Sequence, residues 1–342
     1  MRIFKIIYCV LTAILCVSCS KSPSQEQELP TMDFTFDMPQ VKTIVDESNL
    51  HTTGSQITLF DVHSRTSPSE EDQSEAGLVQ YIDGKKLTFN GSNWDFDSKI
   101  PWTKRGTHEF IAYYSKNAVD GSSVDGVSVT YESTVDGASL QTLYVASKAT
   151  PWKLTLDNQF DFMYATAYRD LIHQDYSSVQ LPFKHLFAAV RFRIVNTGTQ
   201  TRTLNSFTIK GMADRGNAEI WTSGSPSITV TSSGDQMKVT ETKALAANGG
   251  SVYVHAGTGK VAEDGYFLMW PHTKAYYDNI KFDLKLSDMN RTDMDLSDLS
   301  SVNNWQSGYR YTYNINVGDN FITFESVDVV EWIVDDLILE ER

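Results

Sequence analysis

Tyr309-Arg310-Tyr311-Thr312-Tyr313-Asn314-Ile315-Asn316-Val317 sets an aromatic or aliphatic side chain at every second position and a polar one between. In an extended chain successive side chains point to opposite faces, so this stretch offers one face to a core and the other to water. The same period of two recurs outward. Val190, Phe192 and Ile194 alternate with Arg191 and Arg193, and Phe207/Ile209, Val252/Val254 and Phe282/Leu284/Leu286 repeat it. Upstream, Phe34 and Phe36 alternate with Asp33, Thr35 and Asp37, and Ile57, Leu59 and Asp61 continue the style. Phe110–Tyr114 is a short β-rich run that follows Gly106. Between these runs stand turn pairs such as Asp83-Gly84, Asn90-Gly91, Asp120-Gly121 and Asn248-Gly249-Gly250. Short alternating strands at such spacing predict an all-β chain of two tandem antiparallel β-sandwich domains.

Helical signal is thin. Asp157–His173 fits a turn or two of helix or a strand through Phe162 and Tyr164, and Leu286–Val302 reads as a polar loop with one helical turn. The polar stretch His173–Gln180 is the expected boundary, dividing the chain into sandwiches over 31–177 and 178–342.

The composition fits a folded protein: 342 residues, 41% hydrophobic and 21% charged. A net charge of −14, with no compact Lys/Arg cluster, opposes nucleic-acid binding. Arg2 and Lys5 precede an apolar run over Ile6–Val17, the length of a signal-peptide core rather than a membrane helix. The run ends at Ser18-Cys19, which resembles the bacterial lipobox, with Cys16 where Leu is usual three residues before Cys19. Cys9, Cys16 and Cys19 are the only cysteines, so none remains for a disulfide framework after Cys19. Residues 1–18 are thus expected to be a lipoprotein signal peptide, Cys19 the lipidation site, and residues 19–30 a solvated tether. Ser20, rather than Asp, after Cys19 favours the outer membrane.

Motifs for chemistry are sparse. No G-x-S-x-G or H-E-x-x-H occurs, and the seven histidines show no ligand spacing, so neither a catalytic residue nor a metal or cofactor site is expected. Gly257-Thr258-Gly259-Lys260 lacks both the earlier glycine and the following Ser or Thr of a phosphate loop. Asp288, Asn290, Asp293, Asp295 and Asp298 have the oxygens a Ca²⁺ site needs, but not the glycine and terminal Glu of an EF-hand loop. Seven tryptophans leave room for a sugar-stacking face, although most are expected in the core.

A constellation of segments resembles the fimbrillin family, the lipoprotein-derived subunits of type V pili. It comprises Val41-Lys42-Thr43 with Gly54–Phe60; Trp94 and Pro101-Trp102 before Gly106–Tyr114; Asp161–Ala165; Leu181–Phe192 with its Phe-x-His strand; and Gly308–Ile315 followed by Val329–Trp332. The resemblance implies transthyretin-like sandwiches, no catalysis, export to the outer membrane and assembly with other pilus subunits by β-strand exchange. In that mode backbone bonds and alternate side chains supply the affinity. It makes Phe34, Phe36 and Met38 the candidate first-strand residues and Lys42 and Arg65 the candidate processing sites. Stalk, tip and anchor roles stay open, as do surface ligands of host or bacterium. An alternative is a glycan-binding lipoprotein of a nutrient-uptake system. A glycoside hydrolase ranks third, since its carboxylate pair leaves no local signature.

Overall fold

The computed structural model describes residues 29–37, 56–65, 77–92, 94–115, 118–119, 123–124, 127–134, 140–156, 161–254, 266–296, 302 and 304–332. The first strands are β1 (Phe34–Asp37), β2 (Gln56–Arg65), β3 (Gly77–Phe89), β4 (Trp94–Phe96), β5 (Thr107–Ser115), β6 (Ala118–Val119) and β7 (Ser123–Val124). There follow β8 (Val127–Thr134), β9 (Leu140–Val145), β10 (Trp152–Lys153), β11 (Phe162–Asp170), β12 (Val179–Pro182), β13 (Lys184–His185) and β14 (Ala188–Asn196). Then come β15 (Arg202–Lys210), β16 (Arg215–Trp221), β17 (Ser227–Thr231), β18 (Met237–Leu245), β19 (Gly250–Tyr253) and β20 (Phe267–Met269). A single helical turn, α1 (Lys274–Tyr277), precedes β21 (Lys281–Leu286), β22 (Asn290–Asp295), β23 (Tyr309–Val317) and β24 (Ile322–Glu331).

The chain is all-β, as the alternation predicts. β19-β14-β23-β24 forms one sheet, with β20 also on β14, and β18-β15-β21-β22 forms another. Phe192 of β14 meets Phe207 of β15 at 4.7 Å and Phe282 of β21 at 4.8 Å, so aromatic rings from the inward faces of both sheets form the filling of a sandwich. Pairing is antiparallel except where β14 runs parallel to β23 and β1 to β12.

The six-stranded sheet β13-β11-β5-β2-β3-β4 is covered on both faces. On one, Phe60 stacks on Tyr131 of β8 at 4.0 Å, and Ile111 and Tyr113 join Val129, Leu143 and Val145 in the same core. On the other, Ile57, Leu59, Phe110 and Met163 pack with Met32, Phe34, Val179 and Leu181. Double cover explains why the Phe110–Tyr114 run is apolar without alternation: all five side chains are buried. Four pairings run across residues 177 and 178. β12 pairs with β1, β13 with β11, and β16 with both β9 and β10.

Within Asp157–His173, of which residues 161–173 are described, the structure holds a strand over Phe162–Asp170. Within Leu286–Val302 the structure holds a strand where a polar loop is expected. β22 pairs with β21, and Lys281 bonds Asp295 across the ladder at 2.8 Å while Lys210 reaches Asp293 at 2.6 Å. A strand at a sheet edge, held by backbone bonds and cations, needs no apolar face.

His272 is buried between these layers. Its Nε2 accepts from the Ala213 N–H at 2.8 Å and its Nδ1–H donates to the Trp270 carbonyl, which fixes a neutral ring. Burial pushes its pKa down to about 4, against opposing bonds to the Trp270 and Pro271 backbone. The unfolded chain takes up this proton near pH 6.5 and the folded one only near 4, so stability should fall as pH drops through that window, by on the order of 3 kcal/mol. Urea titrations from pH 7 to 4 should therefore show a shallower acid-side loss of stability in His272→Gln than in the wild type. Equal slopes would remove this assignment.

Candidate functional site

The segment that enters the fold first is held by two successive backbone pairings. The Met32 N–H donates to Ile100 O at 2.7 Å, the Trp102 N–H donates to Pro30 O at 2.9 Å, and Thr31 bridges Pro101 antiparallel. Thereafter β1 runs parallel to β12, with Phe34 opposite Val179 and Phe36 opposite Leu181. The Val179 N–H donates to Asp33 O at 2.9 Å, and the Ser178 hydroxyl donates to Asp33 Oδ2 at 2.7 Å.

Period-two spacing sends Phe34 and Phe36 the same way. Phe34 sits edge-on to Phe96 and Phe110, both at 5.5 Å, and Phe36 lies against Trp94 at 5.2 Å and Phe183 at 6.1 Å. Phe34 is buried and Phe36 half-buried; burying the Phe34 ring is worth about 1.5–3 kcal/mol and Phe36 less, and each edge-on pair adds about 0.5–1.5 kcal/mol. Two of the three first-strand candidates thus share one aromatic seat. Met38, Lys42 and Cys19 lie outside the described residues. Arg65 is the last residue of β2, and β2 lies between β3 and β5 in the six-stranded sheet.

Residues 100–106 form a strap across this seat, pinned by a buried polar row that no sequence motif marks. Asp61, His63 and His108 share one side of the β2/β5 pair, since His63 is opposite His108 and Asp61 is two residues away. Asp61 Oδ2 and His108 Nδ1 are 2.6 Å apart and both side chains are fully buried. Burial pushes the Asp61 carboxyl well above its ordinary range; a bond from the Glu109 backbone opposes this and the Glu109 charge adds to it. Burial likewise lowers His108 to about 4. On the far side Thr103 Oγ1 lies 2.9 Å from His108 Nε2 and 3.1 Å from His63 Nε2, while His63 Nε2–H donates to Arg105 O at 2.8 Å. A carboxylate, an imidazole and a hydroxyl in a row have the makings of an activated nucleophile. Here Trp102 lies edge-on to His108 at 5.4 Å with both buried, and the row's contacts with Thr103 and Arg105 tie the strap to β2 and β5.

A second buried pair joins segments far apart in sequence. Asp161 Oδ2 and His185 Nδ1 are 2.6 Å apart, and the His185 ring stacks on Trp332 at 3.5 Å with 12° between planes. The Trp332 N–H donates to Gly308 O, and the Gly308 N–H donates to Phe187 O at 2.9 Å. A cleft of about 350 Å³ is lined by Lys153, Asp214 and Asp235, but Lys153 pairs with Asp235 and Asp214 accepts from Ser233. Trp102, Trp152, Trp270, Trp305 and Trp332 are buried, leaving only Trp94 and Trp221 half-exposed. Among the described residues no helix is long and apolar enough to cross a membrane.

Asp161, His185, Gly308 and Trp332 come from three of the segments whose order along the chain carries the resemblance, and they meet at one point. Residues 43–332 match the fimbrillin-like family. The chain belongs to that family. A fimbrial protein from Bacteroides vulgatus shares its fold, with a TM-score of 0.55 at 12% identity over 88% of this chain and 99% of the other. A fimbrial assembly protein from Parabacteroides distasonis gives 0.42 at 11% identity, covering 88% and 99%. The fimbrial anchor protein Mfa2 from Porphyromonas gingivalis gives 0.34 at 10%, covering 82% and 90%. No curated protein sequence matches it. This fimbrillin-like chain bears out the family resemblance read from its motifs, and the family does not favour the nutrient-uptake alternative.

Proposed function

We propose that the chain is a non-enzymatic pilus subunit, lipid-anchored through Cys19 at the outer membrane, that joins other pilus subunits by exchange of its first strand. Membership of the family associates it with the cell-surface fimbrium. The observation that carries the strand-exchange reading is the seat itself. β1 is short, is paired only with β12, and places Phe34 and Phe36 into an aromatic groove. An emptied groove would present an unpaired backbone edge above an apolar floor, which favours capture of an equivalent strand.

The same reading divides the chain into sandwiches over 31–177 and 178–342, tied by the pairings of β12, β13 and β16. It also separates the two processing candidates. A cut after Arg65 would carry away β2, whose Ile57, Leu59, Phe60 and Val62 are all buried in a sheet interior. A cut after Lys42 would leave β2 in place. The reading adopted is an anchor or accessory subunit that keeps its lipid, with Lys42 as the only tolerable processing point.

Deleting residues 31–38 should give self-association or a monomer melting lower by roughly 10 °C, from the loss of the buried Phe34 ring, the half-buried Phe36 ring and their backbone bonds. A truncated chain that stays monomeric with an unchanged melting temperature would remove the strand-exchange reading. Mass spectrometry of protein sheared from cells should find lipidated Cys19. A chain beginning at Thr43 with no lipidated form would overturn the anchor assignment, and a chain beginning at Thr66 would also contradict the argument against Arg65.

A further inference from the structure

We propose that Thr103 is the positioning residue that keeps the strap over residues 100–106 closed on the first strand, so that its hydroxyl sets how readily that strand leaves. The inference rests on the reading of the first strand as an exchangeable element and adds a control to it.

The strap touches the first segment through two backbone bonds, at Ile100 and Trp102, and the Thr31–Pro101 bridge between them. Those bonds hold only while the strap stays against the sheet. Tyr81 Oη–H fixes one end by donating to Pro101 O at 2.6 Å. At the other end Gly106 has φ near +100°, and a Cβ there would lie 2.3 Å from Ser64 O and 2.5 Å from His63 Nε2. The backbone therefore presses directly on β2, a position that only glycine can fill.

Between these ends Thr103 Oγ1 lies within hydrogen-bond distance of both imidazoles and of Arg105 O at 3.1 Å. A hydroxyl has one proton to give and two lone pairs to receive, so these three contacts fill it. Trp102 packs edge-on to His108, whose ring orientation is fixed by Asp61, so the strap's largest side chain is registered through the same row. Replacing the hydroxyl by a methyl leaves volume and β-branching alike. It also strips the buried His108 Nε2 of its hydroxyl partner, while His63 Nε2 keeps Arg105 O, and such a loss exceeds the net worth of one bond because the ring is already desolvated. The strap is the element that gives, since it is the loop side of the row while Asp61, His63 and His108 stand on paired strands.

Hydrogen exchange on the full chain tests this. In Thr103→Val the amides of Met32, Trp102 and Val179 should exchange about tenfold faster, while those of Leu59, Phe110 and Phe207 keep their wild-type rates. Thr103→Ser should restore protection, and Thr103→Ala should behave like Thr103→Val. Unchanged rates at the three strap and first-strand amides would overturn the proposal. So would a uniform rise across all six amides, which would mark a merely structural residue, or a failure of Thr103→Ser to restore protection. The exchange readout does not require strands to pass between subunits. A truncated chain that fails to associate, beside selectively raised exchange in Thr103→Val, would remove the strand-exchange reading and leave the strap.

Discussion

The architecture depends on an apolar floor that must be covered. The outer face of the six-stranded sheet carries Ile57, Leu59, Phe110 and Met163, and it is closed by a layer only as wide as β1 and β12 with the strap beside them. Part of that cover comes from Met32, Phe34 and Phe36, among the first described residues. A short terminal strand gains little from local contacts, so its place is set by two aromatic rings and a handful of backbone bonds. The seat is consequently part of the core, and on the proposed reading it is also the part that can be vacated. The family's assembly by pilus subunits gives that combination a use.

Buried polar pairs fix what apolar packing leaves free. Asp61–His108 and Asp161–His185 are each fully buried at 2.6 Å, and each ties a strand of the six-stranded sheet to a neighbour: β2 to β5, and the residue before β11 to β13. Such pairs contribute little net stability compared with apolar replacements, but removing one partner alone is costly. Their value here is placement. One row positions the strap, and the other aligns His185 beneath Trp332, bringing the end of β24 to the start of β23.

Alternation was enough to read the all-β fold and the inward faces of β14, β15, β21 and β23, because each of these strands has one face in a core. It misjudged β2. Ile57, Leu59 and Asp61 suggest one buried face, yet Thr58, Phe60 and Val62 are buried too, because another sheet covers the second face. β22 lacked any apolar signal and was invisible, being held by its ladder and by lysines. Strand direction leaves no trace in periodicity, so the parallel β14/β23 pairing could not be read. Of the first-strand candidates, Phe34 and Phe36 were legible from their spacing. The polar row was not: Asp61, Thr103 and His108 converge only once the β2/β5 register is known, and no local spacing encodes it.

The central claim is that residues 29–37 occupy their groove as a separable strand. The most direct measurement is calorimetric titration of the chain lacking residues 31–38 with a synthetic peptide of residues 29–38. The account predicts saturable one-to-one binding that raises the melting temperature toward that of the full chain, and no binding by the peptide carrying Phe34→Ala and Phe36→Ala. Absence of binding by the native peptide, or equal binding by the doubly substituted one, would contradict it.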